Sequence, residues 1–466
     1  MLATTSKNNQ KNLSKLIDSY PEIINYLNSL TPYEYSQAAI KRTKKMDIAL
    51  GNISTHFDTI LVGGSNGKST TIHFASQLLM EEKYKNGAIY ANHILNYNER
   101  ITINNVPITN KQLTESLKKI IQLSWSQNLN LTSYELLLLA GLWILKQENV
   151  DVGLIEVNIG GKYDAAAICK PKIAAVTKVA VDHPEILGEE LDKLAFEMME
   201  ITEPGHWFIS AEQSKLRLQK MKNWIETHGS KWAMPTRKQA PLPYPYEQLY
   251  GKNASLAERI VQIYVNNIKN KFSPFLRGNL LATQEGQRGR PTLEAKKQAE
   301  KKPIKTLKKF WQTEAQILKG RFQLFDKETP QMLIDPVENI EAISNFLLGL
   351  RLLHYQKPFS DIVIILELAQ QINIEELNKQ LRYLFKKIPG KLLLVSYINE
   401  EEQKNIYNQL STISKHTQNL LKIHNSLEKA LEVAKQTVKQ RNDLIAIGGS
   451  SKFISTYFKI RGRKKL

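Results

Sequence analysis

Short runs of β-branched and apolar residues alternate along the chain with longer segments in which apolar residues recur at helical spacing. The first group of these runs covers residues 58–64, 87–91, 152–157, 173–180 and 206–211. Residues 111–125 and 134–148 lie between them and have the length and periodicity of helices, and the second is apolar enough to be buried. This alternation predicts a parallel sheet whose crossover helices cover its faces.

A second group of strand-like runs begins after residue 330. It comprises residues 331–335, 361–368, 390–398 and 443–451, with amphipathic helical patterns between them. We therefore predict an α/β protein with a larger parallel-sheet domain at 1–327 and a smaller, Rossmann-like α/β domain at 328–466. The proline-rich residues 240–250 should be irregular, and a basic insertion at 273–309 separates the two groups.

The net charge of +19, from 64 basic and 45 acidic residues, changes the range of expected ligands. Such a surplus suits anionic ligands or nucleic acid. Many of the basic residues fall in the insertion, where Phe310 and Trp311 stand only at one edge instead of being interleaved with the charges. We therefore interpret the insertion as a solvated appendage and expect no nucleic-acid partner.

Two further features concern the compartment. The first twelve residues lack an apolar core, and no run approaches the roughly 20 apolar residues that span a bilayer. Cys169 is the only cysteine, so no internal disulfide can form. We expect a cytoplasmic protein with no membrane partner.

The strongest chemical signal is a glycine-rich turn between the first strand and the helical pattern after it. The turn and the start of the helix read Gly64, Ser65, Asn66, Gly67, Lys68, Ser69 and Thr70. Glycines let backbone N–H groups close around phosphate oxygens, the lysine neutralises phosphate charge, and a hydroxyl such as that of Ser69 can bind Mg²⁺. The spacing is shorter than in the common phosphate loop, and a structural turn is the alternative. We predict an ATP-binding P-loop domain.

Two more residues are candidate metal ligands. Glu156 closes one predicted strand and His183 follows another, so both belong to the sheet edge where an open α/β sheet binds its ligands. A carboxylate suits Mg²⁺, whereas a histidine is a softer ligand. The alternatives are a capping or salt-bridged carboxylate for Glu156 and a buried, hydrogen-bonded histidine for His183.

Several motifs together resemble a known family. Residues 64–70, 156–165 and 182–188 are similar to the ATP-binding domain of folylpolyglutamate synthase/dihydrofolate synthase, a branch of the Mur ligase superfamily. Weaker similarities keep the family's order over most of residues 15–460, except 273–309; they lie at 88–109, 132–145, 253–257, 320–323, 334–342 and 443–455.

The resemblance implies a monomeric ligase that uses ATP and Mg²⁺. ATP phosphorylates the carboxylate of a folate or dihydropteroate, and the amine of glutamate then attacks the acyl phosphate. The residues implied in catalysis are Lys68, Glu156, His183, Arg321 and Asp335. Asn253, Arg321 and Asp335 would join the phosphate loop in nucleotide binding. The implied acceptor-binding residues are His93, Glu99 and Arg100, and the implied metal ligands are Ser69, Glu156 and His183.

The chain also departs from the family pattern where chemistry is expected. Met198 stands at the position of the family's carboxylated lysine, with Glu197 and Glu200 as possible substitutes for it. Glu338 replaces a histidine and Lys162 an arginine. Two alternatives therefore stay open: a superfamily ligase with another acceptor, such as a muramyl peptide or a poly-amino acid, and a degenerate nucleotide-binding protein.

Overall fold

The computed structural model divides the chain into two compact units. It describes residues 18–271, 273, 275–277, 306–368, 373–388, 390–397, 400–417, 421–463 and 466. Unit 1 comprises Met1–Ala91 and Tyr97–Gln316, and unit 2 comprises Asn92–Asn96 and Ile317–Leu466. In the described part of the chain, no helix is long and apolar enough to cross a membrane.

Unit 1 is built on a mainly parallel sheet. Its strands are β1 Asp58–Gly63, β2 Asn86–Ile89, β3 Ile101–Ile103, β4 Val106–Pro107, β5 Val152–Glu156, β6 Ile173–Val176, β7 Trp207–Ser210 and β8 Lys231–Ala233. They lie in the order β4-β3-β2-β5-β1-β6-β7-β8. The helices of this unit are α1 Tyr20–Ser29, α2 Gln37–Ala49, α3 Lys68–Glu81, α4 Asn110–Ser126, α5 Ser133–Gln147, α6 Pro184–Leu187, α7 Leu191–Met199, α8 Lys215–Thr227, α9 Tyr246–Ile263 and α10 Leu307–Thr313.

The central position of β1 fixes the edge at which the site can form. β1 pairs in parallel with β5 on one side and with β6 on the other. Its residues from Thr59 onward are buried, which is why the sequence reads as a continuous apolar run. In this register Val62 lies opposite Glu156, so the turn after β1 and the end of β5 share one edge of the sheet.

Side-chain caps start the two helices that the periodicity predicted. Thr109 and Gln112 form a capping box at the start of α4, and Thr132 and Glu135 form one at the start of α5. Glu135 is only 1% exposed because Arg42 and Thr43 of α2 bond to its carboxylate. Caps, core packing and a buried ion pair thus fix the amino end of α5.

Unit 2 contains a second, smaller sheet. Its strands are β9 Gln323–Phe325, β10 Gln331–Pro336, β11 Ile362–Glu367, β12 Gly390–Val395, β13 Leu421–His424 and β14 Leu444–Gly449. The order is β13-β12-β11-β14-β10-β9, and β9 runs antiparallel to β10. The helices are α11 Ile340–Gln356, α12 Ile374–Phe385, α13 Glu400–Thr417, α14 Leu427–Thr437 and α15 Ser451–Ile460.

The predicted α/β class is confirmed, with differences in detail. The expected domain boundary at 327/328 differs from the division found, because Gln323–Phe325 pairs with β10 and belongs to unit 2. The prediction that residues 240–250 are irregular is wrong from Tyr246 onward, where α9 begins directly after Pro245. Most of the basic insertion at 273–309 lies outside the described residues.

Candidate functional site

The turn between β1 and α3 has the backbone conformation that its two glycines permit. Gly64 has φ +116° and Gly67 has φ +85°, values that residues with a side chain rarely adopt. A Cβ on Gly64 would lie 2.9 Å from the backbone nitrogen of Thr177, and one on Gly67 would lie 2.1 Å from Nδ2 of Asn253. Both positions therefore require glycine, and together they shape the loop.

Polar contacts hold the loop against the neighbouring chain. The Ser65 hydroxyl donates to the Ala180 carbonyl at 2.7 Å, and the Ser65 N–H donates to the Lys178 carbonyl at 2.8 Å. The Lys68 ammonium folds back over the loop and donates to the Gly64 carbonyl at 2.8 Å. Thr70 is buried on α3, and Asn66 is partly exposed. The loop is thus a preformed concave turn at the N-terminus of a helix, which favours an anion.

Asn253 on α9 lies against this loop. Its Nδ2 donates to the Gly67 carbonyl at 3.2 Å and to the Thr71 hydroxyl at 3.3 Å. The structure thus brings Asn253 next to the predicted phosphate loop. Thr71, which the sequence did not single out, also donates to the Gly67 carbonyl at 2.9 Å.

Two of the three candidate metal ligands lie together. The Ser69 hydroxyl donates to Oε2 of Glu156 at 2.9 Å, and Glu156 is only 4% exposed. Neighbouring ligand oxygens in an octahedral Mg²⁺ shell, with bonds of about 2.0–2.1 Å, are separated by about 2.9 Å. The spacing of these two oxygens therefore fits adjacent positions around one Mg²⁺ ion.

His183 is the third candidate and has other neighbours. It has φ +50° at the start of α6, its Nδ1 lies 3.3 Å from a Glu185 oxygen, and its ring meets that of Tyr33 with the centroids 6.2 Å apart. Across the described residues, no group of three or more His, Cys, Asp or Glu side chains could hold a metal ion. A metal at Ser69 and Glu156 would therefore need phosphate oxygens and water to complete its shell.

The expected acceptor-binding residues fall into both units. Glu99 and Arg100 lie in a short 3₁₀ helix before β3 in unit 1, whereas His93 belongs to the Asn92–Asn96 segment of unit 2. The Arg100 guanidinium lies 5.3 Å from the centre of the Tyr97 ring. Burial lowers the pKa of Arg100 to about 10, although the nearby Glu156 carboxylate favours its charged form. The Arg100 guanidinium thus lies close enough to the Glu156 carboxylate for their charges to interact.

Arg321 and Asp335 lie in unit 2, and Asp335 has a perturbed carboxyl group. Burial raises the pKa of Asp335 to about 7, against the opposing effects of a hydrogen bond from the Phe322 N–H at 3.0 Å and of the Arg321 charge. Glu338, two residues after the end of β10, accepts from the Ser451 N–H at 3.2 Å and from its hydroxyl at 2.9 Å. It therefore caps the first turn of α15.

The departures around Met198 have a simple structural reading. Met198 is 2% exposed and belongs to the core of unit 1, where a thioether packs well. Glu197 accepts a hydrogen bond from the Tyr35 hydroxyl at 2.6 Å, and Glu200 lies 3.6 Å from the Lys162 ammonium. Both glutamates that were possible substitutes thus have partners within the chain.

Sequence reasoning missed two residues that shape the segment after Glu156. Asp164 is buried and accepts from the N–H groups of Asn158 and Ile159, both at 3.0 Å. The other is Tyr35, from a distant part of the chain. Asp164 lies inside a motif quoted above and its type suits a backbone cap; Tyr35 had no local signal.

Comparisons with known proteins show which proteins this chain is similar to. Residues 62–240 match the Mur ligase middle domain family. The dihydrofolate synthase/folylpolyglutamate synthase of Haemophilus influenzae is 34% identical over 138 residues, which cover 30% of this chain and 31% of that relative. The chain thus matches about a third of the length of this curated relative.

Solved structures extend the likeness over nearly the whole chain. The bifunctional folylpolyglutamate synthase/dihydrofolate synthase of Yersinia pestis, complexed with AMPPNP and Mn ion, aligns with a TM-score of 0.68 at 18% identity and covers 96% of this chain and 98% of that one. The Mycobacterium tuberculosis folylpolyglutamate synthase complexed with ADP aligns with a TM-score of 0.73 at 16% identity and covers 96% and 99%. At such identities the likeness shows a shared fold. The family resemblance inferred from the sequence is confirmed.

Proposed function

We propose that this chain is an ATP-dependent ligase that joins L-glutamate to the carboxylate of a folate or dihydropteroate. The observation that carries the proposal is the preformed phosphate loop with the Ser69–Glu156 oxygen pair beside it, spaced for one Mg²⁺ ion. The curated relative and the two solved structures named above, which carry folate-related ligase names, support the choice of reaction. We further propose that the protein acts as a cytoplasmic monomer.

Residues of unit 1 have separate roles in the first step, the phosphorylation of the acceptor carboxylate by ATP. Backbone N–H groups of the turn at the start of α3 bind phosphate oxygens, apart from that of Ser65, which donates to the Lys178 carbonyl. Lys68 exchanges its loop carbonyl for the terminal phosphates of ATP. Ser69 and Glu156 hold the metal, with His183 as a further proposed ligand. When bound, Mg²⁺ screens the charge of the transferring phosphate.

The remaining roles concern the acceptor and the amino acid. Arg100 is a fixed cation near Glu156 and suits the carboxylate that becomes phosphorylated; Glu99 and His93 are its proposed companions. Arg321 and Asp335 of unit 2 are proposed for the nucleotide or the amino acid. The acceptor carboxylate attacks the γ-phosphorus, ADP leaves, and the glutamate amine then displaces phosphate from the acyl phosphate to form the amide.

The position of Glu338 favours a second candidate function, that of a ligase with a different amino acid or a different acceptor. Its carboxylate occupies the α15 cap where the resemblance leads one to expect a histidine, and a carboxylate disfavours an anionic ligand next to it. A superfamily ligase that takes a muramyl peptide or a poly-amino acid, with an amino acid other than glutamate, is therefore the alternative.

Phosphate release from Mg·ATP by the purified protein, with mass detection of the product, tests the proposal. Glutamate plus dihydropteroate or a reduced folate should give phosphate and a product heavier by one glutamate residue. Lys68→Ala should abolish release, whereas Lys41→Ala, a change at an exposed lysine of α2, should leave it unchanged. Release only with another acceptor or amino acid would favour the second candidate. ATP binding without any acceptor-dependent release would refute both and indicate a nucleotide-binding protein.

A further inference from the structure

A short segment between α1 and α2 reaches the loops that follow β5 and β6. We call residues 31–36 the tyrosine arm. Its backbone is fixed to the start of α5, because the N–H groups of Ser133 and Tyr134 donate to two carbonyls of the arm at 3.0 Å each. Glu34 of the arm forms an ion pair of 2.7 Å with Arg42, which also holds the buried Glu135 of α5. The arm is therefore a fixed platform for its side chains.

Tyr35 of the arm joins α7 to the turn after β5. Its hydroxyl donates to Oε2 of Glu197 at 2.6 Å, and the N–H of Gly161 donates to the Tyr35 hydroxyl oxygen at 3.4 Å. The fit is tight, because a Cβ on Gly160 would lie 2.6 Å from that same oxygen. One phenol group thus bridges a helix and the Gly160–Gly161 turn.

The direction of these hydrogen bonds follows from the chemistry of the groups. A carboxylate oxygen only accepts, so the Tyr35 proton is directed to Glu197 and a lone pair of the phenol is left for Gly161. Burial, together with the hydrogen bond and the charge of Glu197, raises the pKa of Tyr35, so the phenol keeps its proton at neutral pH. Glu197 therefore orients the hydroxyl that holds the turn.

The turn held in this way begins directly after Glu156. Asp164 fixes its first part through the N–H groups of Asn158 and Ile159, and Tyr35 fixes its second part at Gly160 and Gly161. These contacts restrict the wide range of backbone conformations that Gly160 and Gly161 could otherwise adopt. Residues 157–164 can then hold Glu156 at a defined place beside Ser69.

We propose that Tyr35, oriented by Glu197, is a positioning residue for the metal–nucleotide site: it fixes the turn at 157–164 and thereby the Glu156 carboxylate beside the Ser69 hydroxyl. The inference rests on the proposed binding of Mg·ATP. It adds two residues, from the tyrosine arm and from α7, that act on the site through Glu156 without touching the nucleotide.

Binding titrations with and without metal test this role. In Tyr35→Phe, the affinity for ATP in the presence of Mg²⁺ or Mn²⁺ should fall about tenfold, a typical loss when a residue that supports a metal ligand is removed. The affinity for ATP in the presence of EDTA should not change, because the phosphate loop is untouched. Hydrogen exchange of the amides at 157–164 should become faster. Tyr26→Phe is the matched control, since Tyr26 also loses one side-chain hydrogen bond, from Trp125 at 3.3 Å.

Substitutions of Glu197 provide an independent test. Glu197→Ala should reproduce the effect of Tyr35→Phe, and the double variant should be no weaker than either single one. Glu197→Gln should retain most of the affinity, because an amide oxygen still accepts the phenol proton. The Glu197 variants decide the question if Tyr35→Phe fails to fold.

Two results would overturn the inference. One is an equal loss of affinity with and without metal, which indicates a general structural role. The other is a Tyr35→Phe variant that binds metal–ATP like Tyr26→Phe. Because the titrations contain no acceptor or amino acid, they remain decisive even if the wild-type protein shows no ligase turnover; only absence of ATP binding by the wild type would refute both proposals together.

Discussion

Substituting alanine for Gly67 tests whether the phosphate loop depends on the contact with Asn253. Gly67 has φ +85°, and an added Cβ would lie 2.1 Å from Nδ2 and 3.0 Å from Cγ of Asn253. The amide of Asn253 must then move and give up its hydrogen bonds to the Gly67 carbonyl and the Thr71 hydroxyl.

The size of the effect follows from these contacts. A left-handed conformation costs a residue with a side chain about 1–2 kcal/mol. Each of the two lost hydrogen bonds contributes about 0.5–1.5 kcal/mol. We therefore expect Gly67→Ala to lower the free energy of unfolding of unit 1 by about 2–5 kcal/mol.

Tryptophan fluorescence in urea measures this loss selectively, because the six tryptophans of the chain all lie between residues 125 and 311, within unit 1. Adding Asn253→Gly to Gly67→Ala should remove the steric clash. The double variant should then lose no more free energy of unfolding than Asn253→Gly alone plus the cost of the left-handed backbone at residue 67. In Gly64→Ala no such rescue by Thr177→Gly is expected, because the backbone nitrogen of Thr177 remains 2.9 Å from the new Cβ. A loss below about 1 kcal/mol in Gly67→Ala, or equal rescue at both glycines, would refute the reasoning.

Three further changes have definite expected outcomes. Ser69→Ala should raise the Mg²⁺ concentration needed for half-maximal ATP binding about tenfold, measured by metal titration at fixed ATP, with Glu156 left as the remaining protein ligand of the pair. Asp335→Asn should stabilise unit 2 at pH 8 by about 2–4 kcal/mol. In the wild type, a pKa raised to about 7 means that the Asp335 carboxyl contributes stability that is complete below pH ~4 and is lost as the pH rises through 7. Unfolding followed by circular dichroism at several pH values measures this difference, and an equal dependence of the unfolding free energy on pH in variant and wild type would contradict it. Glu258→Ala should cost unit 1 about 3–5 kcal/mol in urea unfolding, since the largely buried Arg237 guanidinium loses its partner.

The sequence predicted the elements whose rules are local. The strand at 58–64, the glycine turn and the following helix were predicted together, since an apolar run, two glycines and a lysine each indicate the same arrangement. Residues 111–125 were predicted as a helix, and α4 extends over Asn110–Ser126 with the capping residues at its start. Local rules were sufficient here because the tertiary structure agrees with them.

Other elements depend on contacts between distant parts of the chain. The strand predicted at 173–180 ends at Val176, because Lys178 and Ala180 turn to accept hydrogen bonds from Ser65. The short strand β13 was not predicted. Tyr35 and Glu197 are 162 residues apart, and no periodicity or motif in either segment indicates that they meet. The candidate site was therefore predicted where it lies on strand ends and missed where a remote side chain supports it.

The segment Asn92–Asn96 has a consequence for how the protein is made. Ile94 lies in the apolar core of unit 2 with Met332 and Phe458, and the absence of a side chain on Gly320 leaves room for it. Unit 2 is thus assembled from two pieces of chain that emerge from the ribosome more than two hundred residues apart. Synthesis of residues 317–466 alone would leave a hole in that core where Ile94 belongs, so this unit is not an independent module that fusion or truncation can transfer to another protein without residues 92–96.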